Sequence, residues 1–406
     1  MAERPLDRPN EGLALWARLT PPGSAALASF GLRGPGASRL LAEIFVPAGR
    51  RSVAQLAPGD VAFGRVAIAD DLWEEAVVGK LGPEEWELHT HGGPAVTRAV
   101  ACRLESENAQ ELTACEWTQA TVADPLAADA LVALCQSRTD RTAQLLLDQY
   151  RGALAHELQQ LAEQCEGGKL ADAAERLAAL RSRWTLGRHL TSPWKVVLAG
   201  RPNAGKSSLL NALAGYERAI VFPEPGTTRD VVTCSIAVDG WPVELIDMAG
   251  LRSATEAIEA AGIERAWRAL AAADVVLLVV DRTLGWDDRL WEEVVWRAGQ
   301  AVGKEPSQAG AALAHCLVVY NKADLPGRVS PSDPPGVVVS ARTGQGLDAL
   351  LAEMARRLVP VPPQPGTAIP FTEAQATALA EAEECLAAGA GVQASRRLRR
   401  LRQTGR

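Results

Sequence analysis

The sequence lacks the features that would place the protein in a membrane, in a secretory pathway or among zinc ribbons. No apolar run approaches the about twenty residues that a membrane-spanning helix needs. The first residues, Met1–Asp7, lack the apolar core of a signal peptide. The seven cysteines are an odd number and include no Cys-x-x-Cys pair, which favours a reducing compartment. We therefore expect a cytoplasmic protein with no membrane contact.

An excess of positive charge is also lacking. Lysine and arginine total 42 against 49 acidic residues, so the net charge is −7. This balance argues against a nucleic-acid binder that uses its whole surface, although a local basic patch remains compatible with it. At 406 residues the chain is long enough for two or three domains.

What the sequence does contain is a phosphate-binding loop. Gly200–Ser207 reads Gly-Arg-Pro-Asn-Ala-Gly-Lys-Ser and lies between an apolar strand, Trp194–Ala199, and a predicted helix. Backbone N–H groups of such a loop converge on phosphate oxygens, and the helix N-terminus adds its positive dipole end. Lys206 is predicted to reach the terminal phosphates, and Ser207 to place its hydroxyl on Mg²⁺. The candidate phosphate-binding residues are Asn203, Ala204, Gly205, Lys206, Ser207 and Ser208.

A second motif identifies the base. The apolar strand Leu317–Tyr320 is followed by Asn321-Lys322-Ala323-Asp324, in which Asp324 can accept from the ring N1–H and exocyclic amine of guanine. Asn321 is predicted to bind the purine and to brace the phosphate loop, and Ser340-Ala341-Arg342 to place a backbone N–H near the guanine oxygen. A buried polar site rejects a base that leaves its groups unpaired, so we expect GTP to be preferred over ATP. The predicted guanine-binding residues are Asn321, Lys322, Asp324, Ser340, Ala341 and Arg342.

Two switch elements lie between these motifs. Gly226–Asp230 contains Thr227 and Thr228, of which Thr228 is the better candidate to complete the Mg²⁺ shell and sense the γ-phosphate. Asp247 and Gly250 form an Asp-x-x-Gly motif, in which Asp247 would hold Mg²⁺ through water and the Gly250 amide would donate to the γ-phosphate. Such contacts order loops that relax after hydrolysis. The alternative for the second element is an ordinary strand and turn.

Hydrolysis cannot depend on a glutamine after Gly250, because the next residue is Leu251. Asn203 offers another route, since its amide oxygen can ligate a monovalent cation that neutralises charge developing on the phosphates. Glu259 is a candidate for positioning the attacking water, although the residues alone favour a solvated helix face.

Together these residues resemble the tRNA-modification GTPases of the MnmE/TrmE type. The resemblance is dense over roughly 195–350 and includes three further segments: Ala249–Arg252, Gly262–Trp267 and Ser340–Gly344. It implies that the chain binds GTP and GDP with Mg²⁺ and that hydrolysis depends on potassium. It further implies that Asn203 is the potassium ligand and that Glu259 positions the water.

Two positions in this region depart from the family. Met248 stands where the family has threonine, which leaves the neighbouring ligand residues intact. The loop that supplies potassium-binding carbonyls reads Val221–Pro225 here, and Pro223 and Pro225 fix φ and remove N–H donors. The loop is therefore expected to differ in shape, while its carbonyls remain.

The motifs and the resemblance together predict three domains. We expect an α/β P-loop GTPase domain, with a doubly wound and mostly parallel sheet, inserted into an α-helical domain that follows an N-terminal α+β domain. The predicted bounds are 1–118 for the N-terminal domain, 119–193 and 360–406 for the helical domain, and 194–359 for the GTPase domain. The last predicted helix is Thr372–Ala388, with Cys385 a half-buried structural thiol. The arginine-rich end, Arg396–Arg406, either contacts RNA phosphates or is a solvated or frayed end.

The N-terminal region contains His89-Thr90-His91-Gly92-Gly93-Pro94. Two histidines in a strand can be metal ligands, but no further ligand cluster accompanies them, and Pro94 instead indicates the first residue of a helix. The resemblance implies that this domain forms a homodimer and binds a folate one-carbon donor. The family segment that follows is abbreviated here to Glu111–Ala120, so we assign no folate ligands.

Two functions follow from the resemblance. The first is a GTPase whose cycle drives wobble-uridine modification of tRNA together with a flavoprotein partner. The second is a regulatory or assembly GTPase that has lost this chemistry, because the family's C-terminal Cys-Ile-Gly-Lys is not among the residues that end this sequence. A third reading is a nucleotide-binding scaffold that does not hydrolyse GTP.

Overall fold

The computed structural model describes residues 13–216, 233–247, 269–294 apart from 271, 290 and 293, and 316–403 apart from 328. These residues form two compact units, and the second begins at Asp124. The helix Ala114–Thr121 belongs to the first unit. No helix among the described residues is both long and apolar enough to cross a bilayer.

The first unit is a seven-stranded sheet with three helices. Its elements are β1 (Leu15–Arg18), β2 (Leu27–Arg33), α1 (Ala37–Ile44), β3 (Phe45–Pro47), β4 (Val61–Ala69), β5 (Leu72–Gly82), β6 (Glu85–His91), α2 (Pro94–Ser106), β7 (Gln110–Glu111) and α3 (Ala114–Thr121). The strand order is β3-β4-β5-β6-β2-β1-β7, and only the β1–β7 pair is parallel. Pro94 begins α2, as the sequence predicts, because proline at this position gives up no helical hydrogen bond.

The core of this unit lies between one face of the sheet and helices α1 and α2. Trp16, Phe30 and Trp86 are almost fully buried in it. Leu27, Val61 and Phe63 from β2 and β4 remain more than half exposed, at 60%, 65% and 55%.

The second unit begins with a set of helices that share an apolar core with helices near the end of the chain. The first five are α4 (Pro125–Gln136), α5 (Asp140–Tyr150), α6 (Ala153–Glu166), α7 (Leu170–Ser182) and α8 (Trp184–Gly187). Leucines at helical spacing are buried, as amphipathic helices require: Leu145, Leu146, Leu154, Leu158, Leu161, Leu177 and Leu180. Leu170, at the start of α7, is half-buried. Gln149, 2% exposed, donates to the Thr367 carbonyl at 3.0 Å and accepts from the Ile369 amide at 3.1 Å. The segment that follows the GTPase domain therefore packs against the helices that precede it.

The GTPase domain contains a six-stranded sheet in the order β13-β12-β11-β8-β10-β9. Its described elements are β8 (Trp194–Ala199), α9 (Lys206–Ala214), β9 (Thr233–Val238), β10 (Trp241–Asp247), β11 (Val275–Asp281), β12 (Cys316–Asn321), β13 (Gly336–Val338) and α10 (Leu347–Leu358). Among the strands that the structure describes here, only β9 is antiparallel to its neighbour. Side chains on both faces of the central strands are buried in separate apolar clusters, as a doubly wound parallel sheet requires.

The C-terminal residues correct one sequence prediction. After α11 (Glu373–Ala387), which matches the predicted last helix, the chain forms one more helix, α12 (Gly391–Arg400). Ala394 and Leu398 are fully buried, while Arg399 pairs with Glu166 at 2.9 Å and Arg397 pairs with Glu381. The expectation of a frayed end is therefore wrong for residues 396–400, which are helical, whereas Arg396, Arg397 and Arg400 are exposed, as expected of a solvated end.

Candidate functional site

The phosphate loop connects β8 to α9 as the sequence predicts. Helix α9 begins at Lys206, and its N-cap is Gly205, in a left-handed conformation with φ of 90°. Asn203 also has a positive φ, 63°, and is exposed. Glycine offers no side chain to cap the first turn, so an anion bound at this end of α9 could accept from the amides of Ser207 and Ser208.

Lys206 is held against the loop that precedes it. Its side chain is 7% exposed, and its ammonium donates to the Gly200 carbonyl at 3.0 Å and to the Arg201 carbonyl at 2.9 Å. The two loop carbonyls thus accept hydrogen bonds from the buried Lys206 ammonium, in the role that phosphate oxygens would take. Arg201, in turn, forms an ion pair with Asp287.

Ser207 and Asp247 lie together although 40 residues separate them. The pairing of β10 with β8 places Asp247 beside Leu198, two residues before the loop begins at Gly200, and the Ser207 hydroxyl donates to the Asp247 carboxylate. Asp247 is fully buried. A hydroxyl and a carboxylate are the hard oxygen donors that Mg²⁺ prefers, so these residues fit a magnesium ion.

Asn321 joins three of the predicted motifs. Its side chain is 2% exposed, and its amide nitrogen donates to the Ala204 carbonyl at 3.0 Å. Its amide oxygen accepts from the Ala341 backbone at 3.1 Å. A single side chain at the end of β12 therefore links the phosphate loop to the segment after β13.

Asp324 is fixed as an acceptor by two neighbours. The Ser340 hydroxyl donates to one carboxylate oxygen at 2.6 Å, and the Arg342 guanidinium lies 3.0 Å from the other. The hydrogen bond from Ser340, assisted by a backbone hydrogen bond and by the charge of Arg342, holds the pKa of Asp324 below its ordinary value. This carboxylate is therefore ionised at neutral pH and faces donors, as a guanine-binding acceptor must.

Lys322 has a partner that the sequence motifs do not predict. Its ammonium lies 2.6 Å from Oδ2 of Asp281, the last residue of β11. Burial opposes ionisation of Asp281, but hydrogen bonds from Lys322 and Thr283 outweigh it and lower the pKa. The sequence contains one indication of this partner: an aspartate that ends an apolar strand. The carboxyl ends of parallel strands meet along one side of the sheet, where the other motifs also lie.

Several predicted site residues lie outside the described residues. They are Thr227 and Thr228 of the first switch, Gly250 and Leu251 of the second, and Glu259. Their predicted roles remain predictions.

The two histidines of the first unit have protein partners. His89 hydrogen-bonds Ser29 at 2.8 Å and lies 3.3 Å from Glu87, while His91 contacts Glu74. Nowhere in the described ranges do three or more metal-ligating side chains cluster.

Known proteins resemble the chain at two levels. A family model described as a 50S ribosome-binding GTPase matches residues 195–322. Over a longer stretch, the tRNA modification GTPase MnmE of Dichelobacter nodosus is 37% identical over 303 residues, which are 68% of this chain and 65% of that protein. The protein of the same name from Vibrio parahaemolyticus is 32% identical over 374 residues, 82% of this chain and 80% of the relative.

The alignment with the Dichelobacter nodosus protein spans less than two thirds of that relative, 65% of its length. Among solved structures, the G domain of the T. maritima FeoB iron transporter is 26% identical. That comparison covers 40% of this chain and 98% of the other, with a TM-score of 0.27.

Proposed function

This chain belongs to the MnmE family of tRNA modification GTPases, and on that premise we propose that it binds GTP and hydrolyses it to GDP and phosphate. The observation that supports this proposal best is the position of Asn321. Its hydrogen bonds to Ala204 and Ala341 unite the phosphate loop with the two segments that would surround a guanine base.

The phosphates would be bound by the loop and by α9. Amides at the start of α9 and the helix dipole favour negative charge, and Lys206 would exchange its loop carbonyls for phosphate oxygens. Ser207, Thr228 and Asp247 would hold Mg²⁺, which supplies charge neutralisation at the phosphates when it is bound. The contact between Ser207 and Asp247 supports this assignment for two of the three residues.

Asn203 and Glu259 are the proposed catalytic residues. Asn203 is exposed within the phosphate loop, and its left-handed backbone is one that asparagine tolerates better than most residues. We assign its amide oxygen to a potassium ion that neutralises charge developing in the transition state. Glu259 would orient the attacking water, since the residue after Gly250 is a leucine.

The first expected result is faster GTP turnover in potassium than in sodium, by at least about tenfold, because a fitting cation replaces a missing positive group. The measurement is phosphate release by purified protein at equal ionic strength in KCl and NaCl. Asn203→Gly is the informative variant, since glycine keeps the φ of 63° without strain while it removes the amide oxygen.

Asn203→Gly should retain GTP binding and turn over at the sodium rate in both salts. Glu259→Ala should slow turnover in both salts while binding persists. Equal rates for the unaltered protein in potassium and sodium would contradict the cation assignment. No turnover in either salt would contradict hydrolysis and support the hypothesis of a nucleotide-binding scaffold.

We further propose that GTP hydrolysis serves wobble-uridine modification of tRNA, with a flavoprotein partner and a homodimer formed through the first unit. The names of the relatives support the tRNA assignment. The exposed Leu27, Val61 and Phe63 support a dimer, since exposed apolar side chains are stabilised when a second copy covers them. In the cell we expect the protein in the cytoplasm.

The second expected result concerns tRNA. Deleting the gene should remove the modification from wobble uridines, and the intact gene should restore it, as measured by mass spectrometry of tRNA nucleosides. Unchanged tRNA in the deletion strain, together with intact GTPase activity of the purified protein, would instead favour a regulatory or assembly GTPase.

A further inference from the structure

We propose that Asp281 is a positioning residue of the guanine site, which anchors the Lys322 ammonium so that the stem of this lysine forms one wall of the base pocket. The inference rests on the proposed binding of GTP. Asp281 belongs to none of the predicted nucleotide motifs and lies 41 residues before Lys322 along the chain.

The Asp281 carboxylate is fully engaged and points in a defined direction. Oδ2 accepts from the Lys322 ammonium at 2.6 Å, while Oδ1 accepts from the backbone and hydroxyl of Thr283 at 3.0 and 2.7 Å. The side chain is 12% exposed. Because Thr283 fixes one oxygen, the other has a fixed position, and the lysine ammonium is located by it.

Lys322 stands where an anchored side chain can contact a base. It lies between Asn321 and Asp324, and its φ of 67° turns the chain sharply at the end of β12. Its side chain is 29% exposed, so part of it is accessible to a molecule from solvent. A lysine stem is flexible and costs entropy to order on binding, and an anchor at its far end removes much of that cost.

The segment that carries Asp281 also holds the backbone of the guanine motif. The Arg282 amide donates to the Asn321 carbonyl at 3.2 Å, and its guanidinium donates to the carbonyls of Ala323, at 3.5 Å, and Gly327. The end of β11 thus contacts the loop from Asn321 to Gly327 at several points. Among these contacts, that of Asp281 is made with a predicted base-binding side chain, Lys322.

The test measures affinity for a fluorescent GDP analogue and the steady-state kinetics of GTP hydrolysis. Asp281→Asn should weaken GDP binding and raise KM for GTP by about tenfold, with kcat changed less than about twofold, because the lost preorganisation affects binding. Asp281→Glu should recover part of the affinity. Glu353→Gln, which removes a carboxylate that pairs with Arg356 and Arg357 on α10, is the matched control and should bind GDP normally.

A double-mutant cycle separates positioning from a general structural role. Lys322→Met keeps the length of the side chain but removes the ammonium, so Asp281→Asn should add no further loss of affinity in that background. An equal loss in both backgrounds, or unchanged GDP binding by Asp281→Asn alone, would overturn the inference. If the unaltered protein does not bind GDP, the proposed function itself fails and the inference fails with it.

Discussion

Asp324→Asn is expected to weaken GTP binding by about 10³-fold or more and to make xanthosine triphosphate the preferred nucleotide. Sites built to hydrogen-bond a particular group reject analogues that leave their buried polar groups unpaired by about 10⁴- to 10⁵-fold. Asp324 is the only acceptor that the sequence assigns to the N1–H and the exocyclic amine of guanine. Its replacement therefore removes the proposed base recognition.

The physical reason lies in the direction of the hydrogen bonds. Ser340 and Arg342 hold the Asp324 carboxylate in place and keep its pKa low, so both of its oxygens accept. An asparagine at the same position presents an amide donor to the exocyclic amine of guanine, which is also a donor. Xanthine has a carbonyl at that position, and the same amide can donate to it.

The measurement is competition of GTP, xanthosine triphosphate and ATP for a bound fluorescent nucleotide. Asp333→Asn is the matched control, because Asp333 lies in the loop before β13, where its carboxylate accepts from the Ser330 backbone at 2.7 Å. This control should bind GTP as the unaltered protein does. A variant Asp324→Asn that still prefers GTP would remove Asp324 from base recognition.

Local sequence patterns were sufficient to predict the strands and loops that carry the site. Apart from the exposed Lys195, the runs Trp194–Ala199 and Leu317–Tyr320 are apolar on both faces, as buried parallel strands require, and they form β8 and most of β12. A glycine-bounded loop after the first of these strands fixed the start of α9 to within two residues. These features are determined by residues that are adjacent in the sequence, which is why they could be predicted.

Contacts between distant segments could not be predicted in the same way. The Lys322–Asp281 pair depends on the register of β11 against β12, where Asp281 pairs with Asn321. Helix α12 was missed because its ten residues include four arginines and few apolar side chains. Its stability depends on burial of Leu398 and on carboxylates from α6 and α11. Neither can be predicted from the periodicity of the sequence.

Gly205→Ala is expected to abolish nucleotide binding, with a loss of at least about 100-fold, although the substitution adds one methyl group. At a φ of 90°, alanine is strained by about 1–2 kcal/mol. A Cβ at this position would also lie 2.3 Å from the Asn321 amide nitrogen, so Asn321 must move. Its displacement would break the hydrogen bonds to Ala204 and Ala341 and would cost about 1–3 kcal/mol for each buried group left unpaired.

Gly168→Ala isolates the backbone strain from the collision. Gly168 has a similar φ of 75°, but its Cβ would meet no atom within 4 Å. We expect this control to lower the free energy of unfolding by about 1–2 kcal/mol and to leave GDP affinity unchanged. Calorimetry and GDP titration of both variants therefore test whether the site depends on Asn321. If Gly205→Ala lowered the free energy of unfolding as much as Gly168→Ala does and left GDP affinity normal, nucleotide binding would not depend on the packing of the phosphate loop against Asn321.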